Sequence, residues 1–212
     1  MLFALCCGLS PSVQAAQLAV TITDATGRGV PDIVIVAEPG TAAALKRAAP
    51  HTAVIDQHNM HFVPDILVVQ TGTGIDFPNS DQIQHQVYSF SPAKTFQLSL
   101  YAGHKYPPVI FDRPGLVTLG CNIHDTMIAY IYVTDSPFFG RSDAAGKLEL
   151  RGLPAGNYSL IAWHPGLQEP AGSSPRQSVT LGENDHAEAR LQLTHAMRAA
   201  GTHGGDKRWT DY

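Results

Sequence analysis

Hydrophobic and polar positions alternate along most of this chain with the two-residue period of β-strands, each with one buried face. Val20 and Ile22 alternate with threonines in Gln17–Thr23, and Ile33 to Val36 forms a second, more continuous apolar run. Phe62 to Val69 reads as an apolar strand segment, punctuated by Gly72 and Gly74 and resumed at Ile75–Asn79. Gln84–Phe90 follows, then Phe96, Leu98 and Leu100 alternating with Gln97 and Ser99. Val109 and Phe111 precede the turn Asp112-Arg113-Pro114-Gly115. Leu116–Gly120 runs straight into Cys121, and Met127–Val133 leaves that loop as a further strand. Later come Lys147–Leu150, Leu153–Trp163, Gln177–Leu181 and Ala187–Leu193, with Asp143–Gly146 as a turn. Short strands at this spacing, separated by Gly, Pro and Asp turns, predict an all-β protein built of sandwiches or barrels. The alanine-rich window Thr41–Ala49 before Pro50 is the one stretch that reads as a short helix.

Composition narrows the function. The 212 residues suit one or two small domains, and 44% hydrophobic with 15% charged residues supports a buried core. A net charge of −4 and the lack of a basic run argue against a nucleic-acid partner. No apolar stretch reaches the ~20 residues of a membrane helix. The stretch Met1–Leu9 is apolar and short, and Val13-Gln14-Ala15 fits a signal-peptidase site, although a basic n-region is missing. Residues 1–16 read as a truncated signal peptide, or else as a buried terminal strand; the former implies an exported, periplasmic protein. The bulky residues before Cys6 and Cys7 argue against a lipoprotein anchor on either.

Removal of the leader leaves Cys121 as the sole cysteine. A lone thiol in an oxidising compartment is a liability unless it is occupied or buried and inert. Its surroundings favour occupation. Cys121-Asn122-Ile123-His124-Asp125-Thr126-Met127 offers a thiol, an imidazole and a thioether, the soft and intermediate donors that copper prefers. Cys121 with His124 would also resemble a thiol nucleophile and its base, but the tight loop with Met127 fits metal ligation better. No GxSxG, HExxH or Gly-rich phosphate loop is present, and Asp76 and Asp81 lack the spacing of paired acids, so the chain does not read as an enzyme.

Residues from about 55 to 135 resemble the cupredoxins. Cys121-x2-His124-x2-Met127 matches the short ligand loop of amicyanin-like members. The wider pattern (FVP at 62–64, TGTGIDFPNSD at 71–81, FDRPG at 111–115, CNIH at 121–124) is similar to bacterial cupredoxins described as methylamine utilization proteins. The resemblance implies one copper ion held by His85, Cys121 and His124, with Met127 as the long axial ligand. It implies a one-electron carrier that docks redox protein partners transiently; the chain is expected to act as a monomer. Many cupredoxins have asparagine directly after the first histidine; Gln86 stands there, which puts the side-chain bracing of the site in question. A copper carrier without redox function, or a structural module of the envelope, is the alternative. Zinc is disfavoured because methionine ligates it poorly.

The flanking blocks, VTITDATGRGVPDIVIVAEP and SDAAGKLELRGLPAGNYSLIAWHPG, resemble the two parts of a carboxypeptidase-regulatory-like (prealbumin-like) domain. This implies a discontinuous sandwich of residues 17–50 and 137–196, a cupredoxin domain at 51–136 between them, and a disordered tail at 197–212. His58 and His61 flank Met60 at a spacing compatible with a second metal, and His104 sits in a polar loop; both read more simply as surface features. His51, His164, His186, His195 and His203 have no partner at metal spacing.

Overall fold

The computed structural model describes residues 15–41, 45, 51–167, 174–195 and 197–198. Among them there are strands and turns but no helix. The window expected to be helical falls almost wholly outside the described residues.

The strands form two sandwiches that meet face to face. The first takes strands from both ends of the chain. β1 (Ala16–Thr23) lies between β14 (Lys147–Leu153), antiparallel, and β17 (His186–Gln192), parallel. Facing it is a sheet ordered β13 (Phe139–Arg141), β2 (Val34–Pro39), β15 (Gly156–Trp163), β16 (Arg176–Leu181). Leu18, Val20 and Ile22 of β1 share one buried core with Ile35 and Ala37 of β2 and Leu160 of β15. Ala16, placed in the leader by sequence, is the first residue of β1 and is buried.

The second sandwich comes from the middle of the chain. Its larger sheet runs β6 (Ile66–Gln70), β12 (Ile128–Thr134), β11 (Gly115–Gly120), β8 (His85–Ser91), β9 (Lys94–Tyr101). Opposite lie β10 (Val109–Phe111), β7 (Thr73–Asp76) and β3 (Thr52–Val54), with the hairpin of β4 (Asp56–His58) and β5 (His61–Val63) beside them. Ile75, Phe77, Val87, Phe111, Val117 and Ile131 fill its core. The apolar run expected at 62–69 is split: β5 and β6 belong to different sheets, with Pro64 and Asp65 at the break.

The run Ile33–Ala37 is apolar throughout because β2 is buried on both faces. Ile35 and Ala37 face the first core, whereas Val34 and Val36 meet Ile66 of the second sandwich. Trp163 completes this contact, its ring 5.9 Å from Tyr130 and 5.7 Å from Tyr132. Two buried serines tie the halves of the first sandwich and its exit strand together. Ser142 Oγ donates to Val30 O at 2.9 Å and accepts the Ile33 N–H at 3.0 Å; Ser136 Oγ donates to Ala37 O at 2.6 Å. Of the tail expected at 197–212, only Met197 and Arg198 fall among the described residues. Met197 bridges to Leu167, and the Arg198 N–H donates to Gly166 O, because the apolar Met197 packs on the first core.

Candidate metal centre

One end of the five-stranded sheet gathers the donors. His85 opens β8, Cys121 follows the last residue of β11, and Met127 directly precedes β12. Because β11 is antiparallel to both β8 and β12, those three points lie at the same end. The segment 121–127 makes two tight turns, closed by a hydrogen bond from the Met127 N–H to His124 O at 2.9 Å.

The ligand-capable atoms of His85, Cys121 and His124 all lie within 4.8 Å of one another. The two imidazoles meet edge to face, with ring centroids 4.9 Å apart. His85 is fully buried, Cys121 and Met127 nearly so, and both sulfur residues belong to the second core. Of the four residues expected as ligands, the structure thus brings His85, Cys121 and His124 into one cluster and buries Met127 in the same core as Cys121. His58, His61 and His104 stay outside: all three are exposed, and His104 faces Asp76 at 3.4 Å.

Copper fits these donors on an observation independent of their identity. Nδ1 of His85 and Nδ1 of His124 are both buried without a hydrogen-bond partner. An unpartnered buried polar atom costs about 1–3 kcal/mol, which a metal ion between the two rings would offset. Two imidazoles, a thiol and a thioether form a soft, mixed donor set suited to copper.

β8 begins with an irregularity. His85 pairs with Tyr101 and Val87 with Leu98, so two residues of β9, Ser99 and Leu100, stand opposite the single Gln86. A bulge of this kind re-aims side chains, and His85, Gln86 and Val87 are buried in succession rather than alternately. Gln86 also braces the ligand loop, since its Oε1 accepts a hydrogen bond from Asn122 Nδ2 at 2.5 Å. The departure at Gln86 therefore keeps a side-chain tie between β8 and the loop.

Asp81 is the site residue that sequence reasoning missed. Its Oδ2 lies 2.7 Å from His85 Nε2. It also accepts the N–H groups of Asn59 at 2.6 Å and Met60 at 2.9 Å, at the tip of the β4–β5 hairpin. Burial pushes its carboxyl up, but the hydrogen bonds from Met60, His85 and Asn59 outweigh that and hold it below the usual carboxylate value. The only sequence signal was a polar run, Asn79-Ser80-Asp81, shortly before His85. Asn79 fixes that run, donating through Nδ2 to Ile83 O and to Tyr101 O.

No family model matches the chain. No curated protein matches it either. Among solved structures, it is similar to a Cu-containing nitrite reductase from Thermus scotoductus SA-01, at 21% identity and a TM-score of 0.38 over 45% of this chain and 25% of that one. It is also similar to a purple cupredoxin from Nitrosopumilus maritimus (18% identity, TM-score 0.35, 39% of this chain and 99% of that one). A third is a point mutant of amicyanin in its reduced Cu(I) form (17% identity, TM-score 0.36, 47% and 97%). The chain therefore spans a quarter of the nitrite reductase but nearly all of the two smaller proteins. The likeness to these structures is one of fold, and in each case it covers less than half of this chain.

Proposed function

We propose that the protein is an exported type 1 copper protein that carries single electrons, with one copper ion held by His85, Cys121, His124 and Met127. The observation that supports this most is the pair of buried, unpartnered Nδ1 atoms beside a buried thiol, within 4.8 Å. Copper, when bound, supplies a Cu(II)/Cu(I) couple that gains or loses one electron. The chain does the rest. Three strand ends and a doubly turned loop keep the donors in one arrangement, so little nuclear rearrangement accompanies electron gain or loss. Burial of His85, Cys121 and Met127 keeps water from the donor atoms. His124 is the half-exposed member, with Ile123 beside it 49% exposed, which suits brief contact with an electron-donating or electron-accepting protein partner. We read the first sandwich as a separate, discontinuous module of residues 17–50 and 137–196, and the whole as a periplasmic monomer.

Adding Cu(II) to the purified protein tests the reading. An intense copper–thiolate charge-transfer band, bleached by a one-electron reductant and restored by reoxidation, is the expected result. Tight copper binding without that band would replace the electron carrier with a copper carrier. Failure to bind copper would leave a structural module.

A further inference from the structure

Asp81 meets the His85 ring at Nε2, the nitrogen other than the buried, unpartnered Nδ1. A carboxylate only accepts, so the short contact requires the proton on Nε2, and in the neutral ring that leaves the lone pair on Nδ1. Nδ1 is the ring atom that is buried without a partner. The carboxylate thus selects the tautomer in which His85 can bind metal.

Asp81 is itself held from two directions. Its own N–H donates to Asn79 Oδ1 at 3.0 Å, and the N–H groups of Asn59 and Met60 converge on its two oxygens. Asn59 and Met60 both have left-handed backbones (φ 54° and 59°), the conformation of a tight hairpin turn, which directs their N–H groups at Asp81. The Asp81 side chain is 11% exposed and that of His85 is 0% exposed, so water screens this pair poorly. A negative charge here makes the imidazole a stronger donor and favours the more highly charged metal state.

Building on the copper reading above, we infer that Asp81 is a positioning residue that lowers the copper reduction potential, by fixing the His85 tautomer and polarising its ring toward imidazolate. The exposed β4–β5 turn then belongs to the metal site, through the two hydrogen bonds it gives to that carboxylate.

The test is Asp81→Asn in the copper-loaded protein, which keeps an oxygen for Nε2–H but removes the charge. The copper–thiolate band should persist. Cu(II) affinity should fall about tenfold relative to Cu(I), within the range seen when hydrogen-bond partners of metal ligands are lost. For one electron that equals a rise of about 59 mV in potential, read by spectroelectrochemical titration. A merely structural role would weaken both oxidation states alike; an unchanged or lowered potential with an intact band overturns the inference. Should the variant not fold, NMR of wild-type protein in the diamagnetic Cu(I) state decides: His85 Nε2–H is expected as a downfield, slowly exchanging proton, and its absence overturns the inference. If wild-type protein gives no copper–thiolate band, the copper reading itself fails, a result distinct from both.

Discussion

Gly120 is where β11 and the Tyr88 ring of β8 come close, next to the metal cluster. It pairs with Tyr88 of β8 on one side and Ile128 of β12 on the other, and Cys121 follows it directly. A Cβ at Gly120 would lie 2.7 Å from both Cζ and Oη of Tyr88 and 3.2 Å from Cε1. Non-bonded carbons rest about 3.5–4.0 Å apart, so in Gly120→Ala the ring must retreat by about 1 Å. Forcing extra bulk against a packed neighbour costs about 1–3 kcal/mol. Alanine in place of glycine within a strand returns about 0.5–1 kcal/mol. The expected net effect is a loss of about 0–2.5 kcal/mol. With Tyr88→Ala the obstructing ring is gone and the sign should reverse, Gly120→Ala then stabilising by about 0.5–1 kcal/mol. Urea unfolding of wild type, both single variants and the double variant measures the coupling, expected at about 1–3 kcal/mol. Equal effects of Gly120→Ala in the two backgrounds would refute the reasoning. The copper–thiolate spectrum shows what yielded: an unchanged band means the ring moved, and a shifted band means that β11 carried Cys121 with it.

Other outcomes follow from the same structure. Cys121→Ser should abolish the copper–thiolate band, whereas Met127→Leu should retain copper and shift the potential, both read by visible spectroscopy and voltammetry. His58→Ala with His61→Ala should leave the band unchanged, since both rings are exposed and outside the cluster. Ser142→Ala strands the Ile33 N–H and the Val30 carbonyl and should cost about 1–3 kcal/mol in urea unfolding. His164 is buried with Nδ1 accepting the Gly166 N–H at 2.9 Å, and desolvation lowers its folded pKa below its ordinary value. The unfolded chain therefore takes up the proton first: the His164 contribution is constant above pH about 6.5 and declines as pH falls through it. His164→Asn should flatten that part of the stability profile between pH 7.5 and 5, measured as urea midpoints.

Strand content was legible because alternation survives wherever a sheet has one wet face, as in β9 and β17. It failed to separate β5 from β6, since an apolar run reads alike whether one strand or two bury it. It also gave no hint that β2 owes its unbroken apolar run to a second sandwich packed on its back. At the site, three donors share one loop, so spacing alone brought them together, and the family resemblance supplied His85. Asp81 stayed hidden because its role depends on chain reversal. It lies four residues before His85, yet no helix brings the two together; the loop braced by Asn79 does so. The bulge of Ser99 and Leu100 opposite Gln86 is likewise a property of two paired strands, not of either alone.

The position of β1 has a bearing on the order of assembly. This first strand sits between β14 and β17, so its sheet cannot close until residue 192 has been made. Contacts so distant in sequence close slowly. The excursion between Pro39 and Phe139, however, departs and returns at β2 and β13, which pair directly, Val36 with Phe139. A central sandwich that folds first would act as a ready-made staple, replacing a long flexible loop with a short link and lowering the loop-closure entropy. Damage to its core would then delay the outer sandwich as well, and refolding kinetics followed at Trp163, where the two meet, would register it.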